Sequence, residues 1–353
     1  MAGLSFISFT SHPIRTLQQK NSLDFLRLVA ATMVLYSHQY ALTGQPEPLF
    51  LGWNTVGGAG VTIFFFLSGF LVWSSWERDP NTARFFQRRA LRIFPALWVV
   101  CLLSVLVMGP LLTVHTVGDY LRSPSTWHYL GTALLVSTNT LPGLFPENPL
   151  PLVVNGALWT LPVEFFCYIS VATVGSALMA LKFAKGPVLG LCLLGVVIAA
   201  SYMPLWVGTH FVPHFEMMAL FWWGVFYGHC LKAPREWPGL LLASVAFVCF
   251  ALLGPRGFER TAMLVCAALL VHVARHVTVG SRLTDRLGDL SYGLYVFAFP
   301  VQQLGVHYGS RLGWGFVTYF SVSLLVTLGL AYASWHSVEK QALRFKPMGW
   351  GAA

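Results

Sequence analysis

Long apolar runs separated by short polar segments dominate this chain of 353 residues. Ten of the runs are long enough, or nearly so, to cross a bilayer, because about 20 apolar residues in a helix span its hydrocarbon core. The pattern therefore predicts an all-α, polytopic transmembrane helix bundle with about ten spanning helices. The runs lie at residues 23–43, 57–76, 91–110, 156–181, 187–203, 213–231, 238–254, 258–277, 287–306 and 313–335.

One further run, WHYLGTALLVSTNTLPGLF at residues 127–145, is ambiguous. Cytoplasmic segments carry an excess of lysine and arginine, so charge can decide whether this run crosses the membrane. If it does not cross, 18 of the 22 basic residues fall on the inner side and both termini are cytoplasmic; if it crosses, each side holds 11. We therefore expect a short re-entrant or surface helix here, inside a long outer segment.

The expected organisation is one transmembrane domain at residues 23–338 between two cytoplasmic tails, residues 1–22 and 339–353. With 56% hydrophobic and 10% charged residues, a soluble single-core protein is excluded. Positive-inside bias and contact with anionic membrane lipids explain the net charge of +9, so no nucleic-acid partner is expected. The cysteines occur singly, without ligand spacing, so neither a metal site nor a disulfide is expected. They are Cys101, Cys167, Cys192, Cys230, Cys249 and Cys266.

The first predicted span carries Arg27 near its start and His38 near its end. Eleven residues separate them, a rise of roughly 16 Å in a helix, so they cannot form one ion pair. Arg27 either extends to lipid headgroups or binds an anionic ligand. His38 is either a core histidine or a base, since an imidazole can accept a proton near neutral pH.

The fourth predicted span supplies a carboxylate in NGALWTLPVEFFCYI. Counted from the outer ends of their helices, Glu164 and His38 lie at similar depth. Because a buried carboxylate is costly unless it is paired, a contact between Glu164 and His38 is expected. The alternative is that Glu164 bonds only to helix backbone or to a tryptophan such as Trp159.

The segment ERDPNTARFFQRRALRIFP follows the second span and is rich in arginine. Arg84, Arg88, Arg89 and Arg92 are spaced to lie close together on a helix. Ordinary positive-inside charge explains such a cluster, yet arginine without lysine also suits bidentate recognition of phosphate. The functional interpretation is a binding site for a phosphate-bearing donor.

Two other stretches contain candidate ligand contacts with simpler structural explanations. GGAGVTIFFFLSGFLVW places Ser68 on a glycine-rich helix face that favours close helix packing, and that also suits a slot for a thin ligand chain. LGDLSYGLYVFAFPVQQ places Tyr292 near the inner end of the ninth span, together with Asp289 and Ser291. Anchoring at the interface and packing beside Pro300 explain most of that second stretch.

The order of these stretches resembles acyltransferase family 3, integral membrane proteins that O-acylate bacterial carbohydrates. The likeness runs from LDFLRLVAA through GVTIFFFLSGFLV, FFQRRALRIFPALW, ALWTLPVEFFCYI and LSYGLYVFAFPV to SWHSVEKQALRF, nearly the whole chain. Arg27 followed by ten residues and His38 matches the family's first-helix signature, and Arg89-Ala-Leu-Arg92 matches its cytoplasmic arginine pair.

The resemblance implies transfer of an acyl group, most often acetyl from cytosolic acetyl-CoA, to a hydroxyl of a cell-surface or exported glycan such as lipopolysaccharide or exopolysaccharide. It implies a multi-pass protein of the bacterial inner membrane. His38 and Glu164 become catalytic candidates, and Arg27, Arg89 and Arg92 become donor-site candidates, to which the residues' own pattern adds Arg88, Ser68 and Tyr292. The alternative function is a transporter or flippase of a glycan or lipid-linked substrate, because ionisable residues within the membrane also mark translocation paths.

Overall fold

The computed structural model describes residues 22–52, 54–136, 138–183, 186–202, 212–230 and 257–347, and the statements below concern these residues. Helices form nearly all of the regular structure there, which confirms the all-α prediction. The two strands of the described ranges, β1 Leu49–Phe50 and β2 Asn54–Thr55, form a short antiparallel pair between the first two helices.

The described residues form fourteen α-helices. In chain order they are α1 Leu23–Leu42, α2 Val56–Arg78, α3 Thr82–Leu103, α4 Gly109–Leu112, α5 Val117–Arg122, α6 Pro124–His128, α7 Thr160–Ala180, α8 Gly186–Tyr202, α9 Val212–Cys230, α10 Gly257–His276, α11 Ser281–Leu287, α12 Ser291–Gly309, α13 Phe316–Ser334 and α14 Lys340–Ala342. Two π-helical turns occur at Ser104–Met108 and Trp335–Glu339, and 3₁₀ turns occur at Tyr129–Leu134, Gly156–Trp159 and Leu343–Phe345.

Four continuous helical stretches are long and apolar enough to cross a membrane: Val56–Arg78, Thr82–Leu112, Gly156–Ala180 and Phe316–Phe345. A fifth is added if Ala262–His276 and Ser281–Leu287, which are bent by 78°, form one broken span. The chain is therefore a membrane protein. The count of about ten spans stays a prediction: nine of the predicted runs overlap helices of the structure, and the run at 238–254 lies outside the described residues.

Helix α2 packs closely against α9 in the centre of the bundle. A Cβ atom on Gly69 would lie 1.9 Å from the carbonyl oxygen of Phe221, and one on Gly224 would lie 1.9 Å from that of Phe66. The two glycines thus let α2 and α9 cross with their backbones in contact, as small residues do in membrane helix pairs. The packing interpretation of the glycine-rich stretch is confirmed at Gly69.

The outer segment between α4 and α7 folds over the bundle in short helices and loops. The predicted short helix within 127–145 is present as the 3₁₀ turn Tyr129–Leu134, which continues directly from α6. The segment then pairs Thr140 with Val153 in an isolated antiparallel bridge. Its last residue before the next turn, Asn155, is fully buried and donates from Nδ2 to the carbonyl oxygen of Val296 at 2.9 Å. The chain therefore enters α7 from inside the bundle.

Candidate active site

A cavity of about 500 Å³ lies where the start of α1, the end of α2 and the start of α3 meet. We call this end of the bundle the arginine end, and the end that holds His38 the histidine end. The cavity extends from the arginine end toward Thr160 and Tyr295 in the interior. Its charged lining is six basic side chains, Arg27, Arg78, Arg88, Arg89, Arg92 and Lys346, and three acidic ones, Asp24, Glu164 and Asp289.

Asp79, in the loop between α2 and α3, engages two of the four clustered arginines. Its carboxylate accepts bonds from Arg84 Nη2 at 2.5 Å and Arg88 Nη1 at 2.6 Å. The hydrogen bonds from Arg84 and Arg88 hold the pKa of Asp79 well below its ordinary value. Asn81 begins α3 by accepting the backbone N–H of Arg84 at 3.0 Å, so the loop and the helix start position both arginines. Arg84 is therefore a loop anchor, and Arg88 is partly engaged by the same carboxylate.

Asp289, in the loop before α12, holds two further arginines from different helices. Arg92 Nη2 lies 2.6 Å and Arg27 Nη1 lies 3.5 Å from Asp289 Oδ2, while Ser291 Oγ donates to Oδ1 at 2.5 Å. One carboxylate thus fixes both guanidinium groups at the cavity wall.

Arg89 differs from its neighbours because it has no acidic ion-pair partner among the described residues. Its guanidinium group lies over the rings of Phe85, at 6.0 Å, and Tyr168, at 5.8 Å. Its Nε atom is buried without a hydrogen-bond partner. A cation in such a place is costly unless a negative charge joins it, so Arg89 fits the binding of an anionic ligand in the cavity.

Glu164 supplies the carboxylate deeper in the cavity. Its Oε1 accepts a hydrogen bond from Ser68 Oγ at 3.2 Å and from the Tyr168 hydroxyl at 2.5 Å. Beyond it, the hydroxyl of Tyr295 pairs with Thr160 Oγ1 at 2.5 Å and donates to the Ala157 carbonyl oxygen at 2.5 Å. The inner limit of the cavity is therefore polar.

The structure brings seven of the eight predicted site residues to this one cavity. They are Arg27, Ser68, Arg88, Arg89, Arg92, Glu164 and Tyr292. The hydroxyl of Tyr292 donates to the Ile93 carbonyl oxygen at 2.8 Å, which fixes its ring beneath the guanidinium group of Arg92.

His38 does not line the cavity. Its ring packs edge-on against Phe299, with centroids 5.3 Å apart, and its Nδ1 atom is buried with no hydrogen-bond partner among the described residues. Phe299 lies one helical turn beyond Tyr295 in α12, so a single turn of that helix separates the imidazole from the inner limit of the cavity.

The predicted contact between His38 and Glu164 is wrong, because the two side chains lie at different depths. A Cβ atom on Gly57 would be 2.7 Å from Cβ of Ser37, so the start of α2 lies beside His38. Ser68, which contacts Glu164, is 11 residues further along α2, a rise of roughly 16 Å. The sequence count assumed that α7 starts at the outer surface. Buried Asn155 instead places that start well inside the bundle.

Comparison with known proteins shows the family of this chain. The family model described as an acyltransferase domain, that of acyltransferase family 3, matches residues 20–336. The chain belongs to acyltransferase family 3. This acyltransferase is 31% identical to an O-acetyl transferase of Shigella phage Sf6, over 93% of the chain and 97% of the relative. It is 28% identical to Nodulation protein 10 of Rhizobium leguminosarum bv. viciae, over 93% of the chain and 94% of the relative.

A third relative, the exopolysaccharide production protein ExoZ of Rhizobium meliloti, is 29% identical over 82% of the acyltransferase and 90% of its own length. No solved structure matches the chain. The recognised family is thereby confirmed, and the chain is an enzyme of the O-acetyltransferase type that uses an acyl donor.

Several cavity residues of the acyltransferase were missed in the sequence. Tyr168 follows Glu164 by four residues, the spacing at which helix side chains meet, so that contact was detectable. Lys346 and Tyr295 reach the cavity only through tertiary folding. Asp289 was noted in the sequence as part of an interface anchor, but its bonds to arginines 262 and 197 residues away carry no local signal.

Proposed function

We propose that this acyltransferase moves an acyl group, acetyl in the simplest case, from cytosolic acyl-CoA to a hydroxyl of a cell-surface or exported glycan. The observation that carries the proposal is Arg89, which lines a cavity that continues inward to Glu164, has no acidic ion-pair partner among the described residues, and has a buried Nε atom without a hydrogen-bond partner. The names of several relatives support the acceptor class, since they include an exopolysaccharide production protein and a peptidoglycan O-acetyltransferase.

The donor fits the cavity with its phosphates at the arginine end. Arg89 and Arg92 bind phosphate oxygens there, with Arg27 and Arg88 beside them, because arginine forms paired charge-assisted hydrogen bonds with phosphate. The pantetheine arm passes Tyr292, Ser68 and Glu164 and brings the thioester to the inner limit of the cavity near Tyr295. In this proposal the arginine end and both termini lie in the cytosol, as the positive-inside rule predicts, and the membrane is the bacterial inner membrane, as the family resemblance implies.

His38 is the proposed general base on the acceptor side. A ring nitrogen of His38 takes the proton of the acceptor hydroxyl, and the hydroxyl oxygen attacks the thioester carbonyl carbon. The C–O bond forms, the C–S bond breaks, and the thiolate of CoA leaves and is protonated, with His38 returning to its neutral form. For this step the turn of α12 that carries Tyr295 and Phe299 must let the acyl group pass.

Glu164 has a revised role in this proposal. Because it lies with Ser68 and Tyr168 in the cavity, it contacts the donor arm and orients its neighbours there, whereas the sequence suggested that it orients His38.

Membership of the family favours an enzyme over the transporter or flippase.

The test uses the full-length protein in lipid nanodiscs with acetyl-CoA labelled in its acetyl group. The acceptor is the cell-envelope glycan fraction of a strain that lacks this protein. We expect the wild type to move label into the glycan, and His38→Ala to move none while it binds CoA normally. His128→Ala, which changes an exposed histidine of the outer segment, is the matched control and keeps full transfer.

Two results contradict the proposal. Transfer by His38→Ala at the rate of the wild type removes His38 from the chemistry. A wild-type protein that transfers no label from acetyl-CoA, yet acylates the glycan with a donor that lacks CoA, removes the proposed donor.

A further inference from the structure

The chain that follows the last long helix folds back onto the cavity. After the π-helical turn Trp335–Glu339 and α14, the 3₁₀ turn Leu343–Phe345 lies against α3, where Gln87 Nε2 donates to the Phe345 carbonyl oxygen at 3.3 Å. Leu343 and Lys346 line the cavity. Lys346 lies beyond residue 336, the last residue that the family model matches, and beyond the stretches that carry the family resemblance.

The ammonium group of Lys346 lies among positive charges. Partial burial, followed by the nearby guanidinium groups of Arg89 and Arg92, lowers its pKa. No carboxylate forms an ion pair with Lys346 in the part of the chain that the structure describes. Asp289, the acidic group whose charge acts on Lys346, is already held by Arg92 and Arg27.

Like charges gathered around one cavity repel each other unless an anion lies between them. The Nε atom of Arg89 is buried in the cavity wall, whereas the Lys346 side chain is partly exposed at the opening of the cavity toward the arginine end. One elongated ligand with more than one phosphate at its end can neutralise the charges of both Arg89 and Lys346. Arg89 contacts a phosphate inside, and a flexible lysine reaches a phosphate at the opening.

We propose that Lys346 binds a phosphate of the acyl donor. The segment 343–346 then forms the wall of the donor site at the arginine end. This inference rests on the proposed function and adds to it a donor with phosphate at the opening as well as inside. CoA has that chemistry, with a diphosphate bridge and a separate phosphate on the ribose.

The experiment measures the affinity of the full-length protein for CoA by calorimetry, in nanodiscs of zwitterionic phosphatidylcholine at fixed ionic strength. We expect Lys346→Gln to bind CoA about tenfold more weakly, the loss of roughly one charge-assisted hydrogen bond. Lys346→Arg, which keeps the charge, restores binding to within about threefold of the wild type. Arg344→Gln is the matched control, because it removes an exposed positive charge from the same turn without touching the cavity, and it leaves the affinity unchanged.

The same titrations with CoA that lacks its ribose phosphate identify the contact. If Lys346→Gln weakens CoA but not this analogue, Lys346 binds the ribose phosphate; if both are weakened equally, it binds the diphosphate. Either result supports the inference. Wild-type affinity of Lys346→Gln for CoA overturns it, and is also the result expected if Lys346 binds only lipid phosphate.

A parallel titration of Arg89→Gln separates this inference from the proposed function. Loss of CoA binding in Arg89→Gln together with unchanged binding in Lys346→Gln overturns the role of Lys346 alone. A wild-type protein that does not bind CoA overturns the proposed donor and this inference together.

Discussion

Ser68 on α2 and Glu164 on α7 are joined by a hydrogen bond of 3.2 Å within the cavity. The hydroxyl of Tyr168 donates to the same carboxylate oxygen, Oε1, so two donors hold one oxygen and neither bond uses Oε2. The two bonds together orient the carboxylate beside the proposed donor arm.

Removing either partner of this contact is expected to reduce acyl transfer. Glu164→Gln keeps the shape but removes the charge, and we expect transfer to fall at least about tenfold, the effect of roughly 1.4 kcal/mol on the barrier. Ser68→Ala leaves the bond from Tyr168 and should have a smaller effect. Transfer rates and thermal unfolding of the nanodisc protein measure both variants.

Ser170→Ala is the control for Ser68, because Ser170 Oγ donates within its own helix, to the Cys167 carbonyl oxygen, and Ser170 does not line the cavity. Equal transfer by Ser68→Ala and Ser170→Ala contradicts a role for the Ser68 contact.

The contrast between Arg89 and Arg84 gives a second prediction. Arg89→Gln should weaken CoA binding about ten- to hundredfold, since a charge-assisted hydrogen bond contributes about 1.5–3 kcal/mol. Arg84→Gln should leave CoA binding unchanged, because Asp79 occupies Arg84 outside the cavity lining. Calorimetric titration of each purified variant checks this, and equal loss in both would mean that only the summed surface charge matters.

Asp79 links stability to pH. Its pKa is lowered in the folded protein by hydrogen bonds from Arg84 and Arg88, so its stabilising effect is complete above the unfolded value of about 4 and is lost as pH falls toward the folded value. We expect Asp79→Asn to lower Tm at pH 7, and the difference from the wild type to shrink below about pH 4. Thermal unfolding of both proteins at pH 7 and at several pH values below about 4 measures this difference. A difference that stays constant with pH would show that the charge is not the cause.

The crossing of α2 and α9 predicts sensitivity to a single methyl group. Gly69→Ala places a Cβ atom against the Phe221 carbonyl oxygen, and we expect the free energy of unfolding to fall by about 1–3 kcal/mol through overpacking. Gly329→Ala on α13 is the control, because no atom lies within 4 Å of the added Cβ atom. The control should be neutral or gain up to about 1 kcal/mol. Unfolding of both variants in the same detergent compares them, and equal stability would contradict a tight crossing.

The gathering of the arginines at one cavity was largely predictable from sequence. Arg27 lies in the first turns of α1, Arg89 and Arg92 lie in the first half of α3, and the positive-inside rule predicts both segments on the same side of the membrane. Ser68 and Tyr292 were named from a glycine-rich face and an interface anchor, and both line the cavity with the arginines.

The depth of Glu164 was not predictable in the same way. Apolar runs show that a helix crosses but do not show where its first turn lies relative to the other helices. Buried Asn155 and its bond to Val296 set the start of α7, and this bond joins segments 141 residues apart. Lys346 likewise lines the cavity only because the chain after the last long helix folds back onto the bundle, which no local sequence pattern shows.

The single turn of α12 between Tyr295 and Phe299 has a consequence for the cell. If the donor docks as proposed, only a small acyl group has to pass this partition, while the nucleotide stays behind it. Transfer then requires no continuous aqueous channel through the protein. The cell can acylate external sugars without losing its proton gradient or its metabolites.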